Sequence, residues 1–180
     1  MSFVFRNDDI TNNSRFDDIT RIYKIIKDKF PDSEIYSCIT ILSKYNKEGM
    51  PYPPTDIPIS NRNFYDVDNS FDKFEIPLYF NLYNIISHGL FHCYYRGLSY
   101  ETQKMSIVSS CNYLNTKIFI PPFWAWDKTT EQVCKDNDIH LWVEPDWKNI
   151  ELVPFDPNHQ YWLFHSWKWN SETFYKAINK

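Results

Sequence analysis

Two adjacent carboxylates follow the apolar start of the chain. Asp8 and Asp9 come directly after residues 3–7, which begin with Phe, Val and Phe. If these side chains are partly buried, they repel each other and lose hydration, so the pair costs free energy unless a cation binds between them or one takes a proton. Adjacent aspartates also occur in turns, where they accept hydrogen bonds from backbone N–H groups. The pair therefore predicts either a metal and acid–base site or a turn.

Two histidines four residues apart could complete such a metal site. His88 and His92 follow an apolar run, and Gly89 between them is one of only three glycines in the chain. One carboxylate and two imidazoles are a common ligand set for a catalytic divalent metal, with positions left for water and substrate. The spacing keeps both histidines on one side if the segment turns helically. The other interpretation is that His92 is a hydrogen-bonded core residue.

A further histidine, His165, follows the last apolar run of the chain. A single histidine in this position is more often a packed residue than a catalyst. If the run is the last strand of a barrel and lies opposite the acidic pair, His165 becomes a candidate general acid. His140 and His159 have no such placement, and we interpret them as structural or surface residues.

Aromatic residues make up 19% of the chain, which is high. A core absorbs many of them, but Trp124 stands close to the polar motifs and is predicted to stack against a sugar ring. The tryptophans between residues 142 and 147 fit a core or a sugar platform equally well. The net charge is -4 and the sequence has no basic run, so nucleic acid is not an expected partner.

The four cysteines are scattered and contain no CxxC pair, which predicts buried thiols in a reducing compartment. The N-terminus has no apolar segment of the kind that a leader requires, and no stretch approaches the length of a membrane span. The sequence therefore predicts a cytoplasmic protein without a membrane span.

Strands and helices alternate along the chain. Strands are predicted at residues 3–5, 34–42, 83–87, 117–120, 139–143 and 160–164. Helices are predicted at residues 16–30, 99–114, 129–137 and 171–179, with a long proline-rich loop at 43–75. The alternation predicts an α/β fold with a mostly parallel sheet or barrel, and the length suits one domain, 1–180. The chemical residues fall at the ends of separate strands, the edge that carries the active site in barrel folds.

Four short motifs, in this order, resemble those of the polysaccharide deacetylase (NodB-homology) family, carbohydrate esterase family 4. The motifs are Asn7-Asp8-Asp9, His88-Gly89-Leu90-Phe91-His92, Ile120-Pro121-Pro122-Phe123-Trp124 and Leu163-Phe164-His165. The match spans almost the whole chain. It implies a distorted, incomplete (β/α) barrel that hydrolyses an acetyl group from an N-acylated sugar or glycan precursor with the help of a metal.

The resemblance also implies a role for each matching residue. Asp9, His88 and His92 would hold one divalent ion, commonly zinc, with Co, Ni, Fe and Mn as alternatives. Asp8 would be the general base that takes a proton from the attacking water, and His165 the acid that protonates the departing amine. Substrate contacts would come from Pro122, Phe123 and Trp124, and the Phe123 backbone N–H would help to bind the oxyanion.

Three positions depart from the family pattern. The arginine of the third motif, which orients the base, is replaced by Ile120, and Arg6 or Lys168 would have to supply the missing positive charge. The glycine after the acidic pair is Ile10, and the small hydroxyl residue after the first histidine is Gly89. The loss of the arginine affects the pKa and the orientation of Asp8, whereas the three metal ligands are retained.

Two other functions fit parts of the same pattern. A carbohydrate-binding protein could keep the barrel and the aromatic platform but lose catalysis together with the arginine. The ligand set of two histidines and one carboxylate also occurs in non-haem iron oxygenases. Those enzymes usually have all-β double-sheet folds, so the alternation of strands and helices argues against this function.

Overall fold

The structure is a computed structural model, and it describes residues 2–11, 14–41, 83–143 and 146–179. The predicted loop at 43–75 and the end of the predicted strand at residue 42 lie outside the described residues. Four helices are present in the described part: α1 (Phe16–Lys29), α2 (Tyr100–Tyr113), α3 (Lys128–Asp136) and α4 (Ser171–Ile178). None of these helices is long and apolar enough to cross a membrane.

The strands of the described residues form one parallel sheet that curls into an incomplete barrel. They are β1 (Val4–Ile10), β2 (Glu34–Ile39), β3 (Asn84–Ser87), β4 (Ile118–Phe119), β5 (His140–Leu141), β6 (Lys148–Asn149) and β7 (Tyr161–Phe164). Their order across the sheet is β5-β4-β3-β2-β1-β7-β6. The predicted fold class, a distorted and incomplete α/β barrel, is confirmed.

One strand was not predicted, one is longer than predicted, and β2, β4 and β5 are shorter than predicted. The strand β6 was not predicted, because a pair of residues such as Lys148 and Asn149 carries no alternation of apolar and polar side chains. The strand β1 does not end before the acidic pair but continues to Ile10. Its register with β2 shifts between Asn7 and Ile10, which marks a β-bulge. The strand continues through the bulge, but Asp8 and Asp9 are not in regular pairing with β2.

The larger core cluster lies between the sheet and helices α1 and α4. Helix α1 contributes Ile22, Tyr23 and Ile26, which pack together with Phe5 of β1 and Phe164 of β7. Fully burying side chains of this size stabilises a fold by about 1.5–3 kcal/mol each. This packing fixes β1 and β7, the two strands that carry the acidic pair and His165.

Helices α2 and α3 cover the sheet near β3 and β4 through a second cluster that includes Ile107, Phe119 and Val133. Helix α2 begins as predicted after Ser99, whose side chain accepts a hydrogen bond from the Thr102 N–H. Helix α3 begins after Asp127, which forms a reciprocal capping box with Thr130. These caps set where each helix starts and so where the loops at the site end.

Candidate active site

The bulge in β1 turns Asp9 toward the interior of the curled sheet. Phe5 and Asn7 face α1, since Phe5 lies in the core cluster with that helix and the Asn7 amide donates to the Tyr23 hydroxyl at 3.1 Å. Regular alternation would point Asp9 the same way. Instead Asp9 has a φ of 61°, a left-handed conformation that is uncommon for a residue with a side chain. The acidic pair is therefore part of a strained strand, not of a turn.

Asp9, His88 and His92 come together as the sequence predicted. Asp9 Oδ1 lies 2.7 Å from His92 Nε2 and 3.2 Å from His88 Nε2. One ligand atom from each of the three residues lies within 4.8 Å of the others, so the group can hold a metal ion. Asp9 lies on β1, and both histidines lie in the segment that follows β3. In the sheet, β1 and β3 are separated only by β2, so the three side chains can meet.

A hydrogen bond fixes the orientation of the His88 ring. Its Nδ1 lies 2.8 Å from the carbonyl oxygen of Ile120, and because a carbonyl can only accept, Nδ1 carries a hydrogen. The other ring nitrogen, Nε2, lies 3.2 Å from Asp9 Oδ1 and so faces the carboxylate. This arrangement fits a divalent metal, and a hydrogen bond to the second ring nitrogen is typical of histidine ligands.

The segment between the two histidines does not turn helically, which was the condition under which their spacing alone would keep them on one side. Gly89 has a φ of 91°, and a Cβ atom at this position would lie 2.0 Å from the Tyr95 hydroxyl oxygen. The chain therefore reverses closely against Tyr95, which only glycine permits. This reversal keeps His88 and His92 on one side, with ring centroids 5.3 Å apart.

Arg6 binds the second carboxylate of the pair. Its Nε donates to Asp8 Oδ1 at 2.8 Å and its Nη2 donates to Asp8 Oδ2 at 3.0 Å. The guanidinium is fully buried and lies over the rings of Trp124 and Trp147, at 4.8 and 4.6 Å from their centroids. Of the two cations considered from the sequence, Arg6 is the one that contacts Asp8, whereas Lys168 forms an ion pair with Glu151.

The charges around Asp8 keep it ionised. Burial by itself raises the pKa of this carboxyl, but Arg6, and to a smaller extent His88 and His165, lower it, so that the pKa lies below its ordinary value. Burial likewise opposes ionisation of Asp9, and the two histidines beside it bring its pKa well below the usual range. Both members of the pair are therefore held as carboxylates.

His165 lies across the site from the histidine pair. Its Nε2 is 3.6 Å from Asp9 Oδ2 and its Nδ1 is 3.4 Å from Glu151 Oε1. Burial lowers the pKa of His165, but Glu151 and the acidic pair outweigh that effect and raise it above the ordinary value. The ring is therefore biased toward its protonated form.

Asn7 connects the strand of the acidic pair to the strand of His165. Its Oδ1 accepts a hydrogen bond from the Ser166 backbone N–H at 2.9 Å, and the same side chain donates to Tyr23. The Trp167 indole N–H donates to Asp9 Oδ2 at 3.4 Å. Because β1 and β7 are also adjacent in the sheet, these bonds fix His165 relative to the two carboxylates.

These side chains surround a cavity of about 390 Å³. It is lined by Asp8, Asp9, His88, His92, Ile120, Pro121, Phe123, Trp124, Asn149, Leu152, Leu163 and His165. Of the residues predicted to contact substrate, Phe123 and Trp124 line the cavity, whereas Pro122 is buried in the same short turn and does not line it. His140 and His159 lie outside the lining.

Backbone strain is concentrated at this cavity. Asp9, Phe123 and Trp124 have φ values of 61°, 57° and 55°, and all three line it. Among the residues that the structure describes, two other non-glycine residues have positive φ, Asn115 and Asp138, and they follow the ends of α2 and α3, where this conformation is ordinary. Strained backbone tends to persist where a functional arrangement is held by its surroundings.

Sequence reasoning missed three contributors to the site. Arg6 was considered only as a source of charge, although its two-residue spacing from Asp8 on a strand would have placed both on one face. Trp147, which was left as core or platform, covers Arg6. Glu151 lies in the irregular stretch between β6 and β7, and no periodic signal marks it.

Comparisons with known proteins bear on the fold of the chain. No protein-family model matches the sequence, and no curated protein matches it. A solved structure of a carbohydrate esterase family 4 pseudoenzyme from Bacillus anthracis matches with a TM-score of 0.60 at 12% identity, over 99% of this chain and 59% of that chain.

Two mutants of that pseudoenzyme match similarly. One has a TM-score of 0.59 at 11% identity, and the other, described as having restored enzymatic activity, has a TM-score of 0.58 at 12% identity. Each match covers 99% of this chain and 61% of the solved one, so the chain spans about three fifths of their length. The expected family resemblance is thus confirmed at the level of the fold: this chain has the fold of the solved carbohydrate esterase family 4 structures.

Proposed function

We propose that the protein is a metal-dependent hydrolase that removes an acetyl or other acyl group from an N-acylated sugar or glycan precursor. The observation that carries the proposal is the convergence of a metal-ligating group, Asp9 with His88 and His92, and a separate ionised carboxylate, Asp8, on one cavity. His165 lies in the same cavity as a proton donor.

Asp9, His88 and His92 would hold the ion, and zinc or another first-row divalent metal suits this mixture of nitrogen and oxygen ligands. When bound, the ion supplies Lewis-acid chemistry, since it polarises an acyl carbonyl and makes a water molecule easier to deprotonate. Three protein ligands leave room for substrate, which is typical of catalytic rather than structural metal sites.

Asp8 is placed to act as the base. Arg6 keeps it ionised and fixes the plane of the carboxylate through two parallel hydrogen bonds. Each carboxylate oxygen has a second lone pair, so the pair with Arg6 leaves Asp8 able to accept a proton from an attacking water. The water oxygen then forms a bond to the acyl carbon.

His165 is placed to act as the acid. Glu151 and the acidic pair favour its protonated form, so that the ring can donate a proton to the amine nitrogen as the C–N bond breaks. The products are the carboxylic acid and the free amino sugar. Phe123 and Trp124 provide apolar surface at the mouth of the cavity for the sugar ring, and the role of the Phe123 N–H in binding the oxyanion stays a prediction.

The second candidate is a carbohydrate-binding protein without catalysis. It is favoured by the solved structures of the same fold, which are described as pseudoenzymes, and by Ile120 at the position of the family arginine. The ion pair between Arg6 and Asp8 favours the hydrolase instead, because it places a guanidinium against the proposed base.

The test is to measure metal content and acetate release with the purified protein. We expect about one divalent ion per chain, as three ligands at one site bind a single ion, and release of acetate from an N-acetylated glycoside. Asp8→Asn should abolish release, whereas Asp17→Asn, at an exposed position in α1, should not. Glycan binding that survives chelation, without hydrolysis of any N-acylated sugar, would establish the binding protein.

A further inference from the structure

Several exposed apolar side chains of the described residues lie at the cavity. Six large hydrophobic side chains are exposed in this part of the chain: Tyr94, Phe123, Trp124, Leu152, Val153 and Tyr175. Phe123, Trp124 and Leu152 line the cavity of the proposed active site, and the Tyr94 ring packs against Phe123 with centroids 4.9 Å apart. We call these four residues, Tyr94, Phe123, Trp124 and Leu152, the apolar rim.

The apolar rim flanks the acidic pair from two directions. Phe123 and Trp124 follow β4, whereas Leu152 lies between β6 and β7. In the sheet, β4 and β6 stand on opposite sides of β1, which carries Asp8 and Asp9. Apolar side chains that line the cavity therefore lie on both sides of the acidic pair.

Leu152 is the member of the rim that a sugar platform does not explain. Sugars stack on aromatic faces, but Leu152 is aliphatic and 79% exposed, and Val153, also exposed, follows it. Contact between such a side chain and another apolar group is favourable, because both apolar surfaces are then removed from water. The two rings opposite are presented by left-handed backbone that bulky residues rarely adopt, so their exposure is imposed by the local fold.

We propose that the substrate carries an apolar group, an alkyl or prenyl chain attached to the acylated sugar, and that the apolar rim binds this chain. The inference rests on the proposed function of the cavity. None of the four rim side chains is charged, so the rim does not select a charged group. A protein bound permanently there would cover the mouth that a substrate must enter, whereas a chain carried by the substrate covers the rim only while the cavity is in use.

The experiment compares two glycosides of N-acetylglucosamine, the methyl and the octyl β-glycoside, by calorimetry with the metal-loaded protein below the micelle concentration of the octyl compound. Each buried methylene contributes about fourfold in affinity, equivalent to about 0.8 kcal/mol. We therefore expect the octyl glycoside to bind at least about tenfold more tightly. Equal affinities, or no binding of either compound, would overturn the inference.

Two variants identify the surface responsible. Leu152→Ser should reduce the preference for the octyl glycoside by about fourfold or more, with little effect on the methyl compound. Tyr175→Ser removes another exposed apolar side chain, one that lies on α4 and does not line the cavity, and should leave the preference unchanged. Both side chains are largely exposed, so neither change threatens folding. Equal effects of the two variants would contradict the inference.

Acetate release from the methyl glycoside, measured in parallel, separates this inference from the proposed function. Release without an octyl preference overturns the role of the apolar rim and keeps the hydrolase. An octyl preference without release from either glycoside keeps the rim as a binding surface and argues for the non-catalytic protein.

Discussion

Arg6 and Asp8 form a two-point ion pair inside the protein, with N–O distances of 2.8 and 3.0 Å. In the family that the motifs resemble, an arginine of the third motif serves the base, and here that position is Ile120. The guanidinium comes instead from the same strand as the carboxylate, two residues earlier. Trp124 and Trp147 cover it, and its charge is therefore directed to Asp8 rather than to solvent.

We expect Arg6→Lys to lower kcat by about 10- to 100-fold, since a lost charge-assisted hydrogen bond costs about 1.5–3 kcal/mol. Lysine keeps the charge but cannot form the two parallel bonds or stack between the indole rings. Arg15→Lys, in an exposed pair with Asp18, is the control and should be neutral. Steady-state kinetics would check this, and an unchanged kcat in Arg6→Lys would show that the ion pair does not support the base.

We expect His92→Gln to remove most of the bound metal, since only two ligands of the group would remain. His140→Gln is the matched control, because His140 is exposed on β5 and does not line the cavity. Elemental analysis of both purified variants measures the difference. Retention of about one ion per chain in His92→Gln would mean that the ion binds elsewhere.

We expect Glu151→Gln to move the alkaline limb of the pH profile of kcat/KM to lower pH. The Glu151 carboxylate helps to raise the pKa of His165, and the proposed acid works only while it is protonated. Without that charge, the pKa of His165 falls and activity is lost at a lower pH. Glu131→Gln, on α3, is the control. An alkaline limb that does not move would show that Glu151 does not set the pKa of the proposed acid, His165.

We expect Gly89→Ala to destabilise the protein more than Gly97→Ala does. Both glycines have positive φ, at 91° and 83°, so an alanine at either position pays about 1–2 kcal/mol for the left-handed conformation. Only at Gly89 would the added Cβ also meet the Tyr95 hydroxyl, whereas nothing lies within 4 Å at Gly97. Urea unfolding of both variants measures the difference, and equal losses would argue against the close approach of Tyr95.

We expect Asp127→Asn to lower stability at neutral pH but not in acid. Although burial opposes it, hydrogen bonds from the Gly97 and Thr130 backbone N–H groups hold the pKa of Asp127 below its ordinary value. Its contribution is therefore present above the unfolded-state pKa and is lost as the pH falls through the folded-state pKa. Unfolding at several pH values would show it as two stability curves that converge in acid. Asp156→Asn, in an exposed loop, should follow the wild type throughout.

Periodicity predicted the alternation of strands and helices, because the main core elements are long enough to show it. The helical spacing of Ile19, Ile22 and Ile26 matches the buried face of α1. The edge strands β5 and β6 span two residues each, too few for a pattern, and only β5 was anticipated. Boundaries shifted where a local conformation, such as the bulge at Asp9, extended a strand past its apolar run.

The site residues that belong to a recognisable sequence motif could be predicted. The sequence predicted that Asp9, His88 and His92 share one site, but not how the chain reverses at Gly89. Arg6 could have been predicted, because side chains two residues apart on a strand point to the same face and Arg6 stands two residues before Asp8. Glu151 could not, because its position depends on how the irregular segment after β6 folds back on His165, which no local preference encodes.

Asn7, in the middle of β1, joins that strand to the backbone that follows His165, through one neutral amide. The spacing between Asp8, the proposed proton acceptor, and His165, the proposed proton donor, is consequently set by two neighbouring strands and by a bond between them. Substitutions in the loops at the mouth of the cavity can therefore change what enters it without moving these two groups apart.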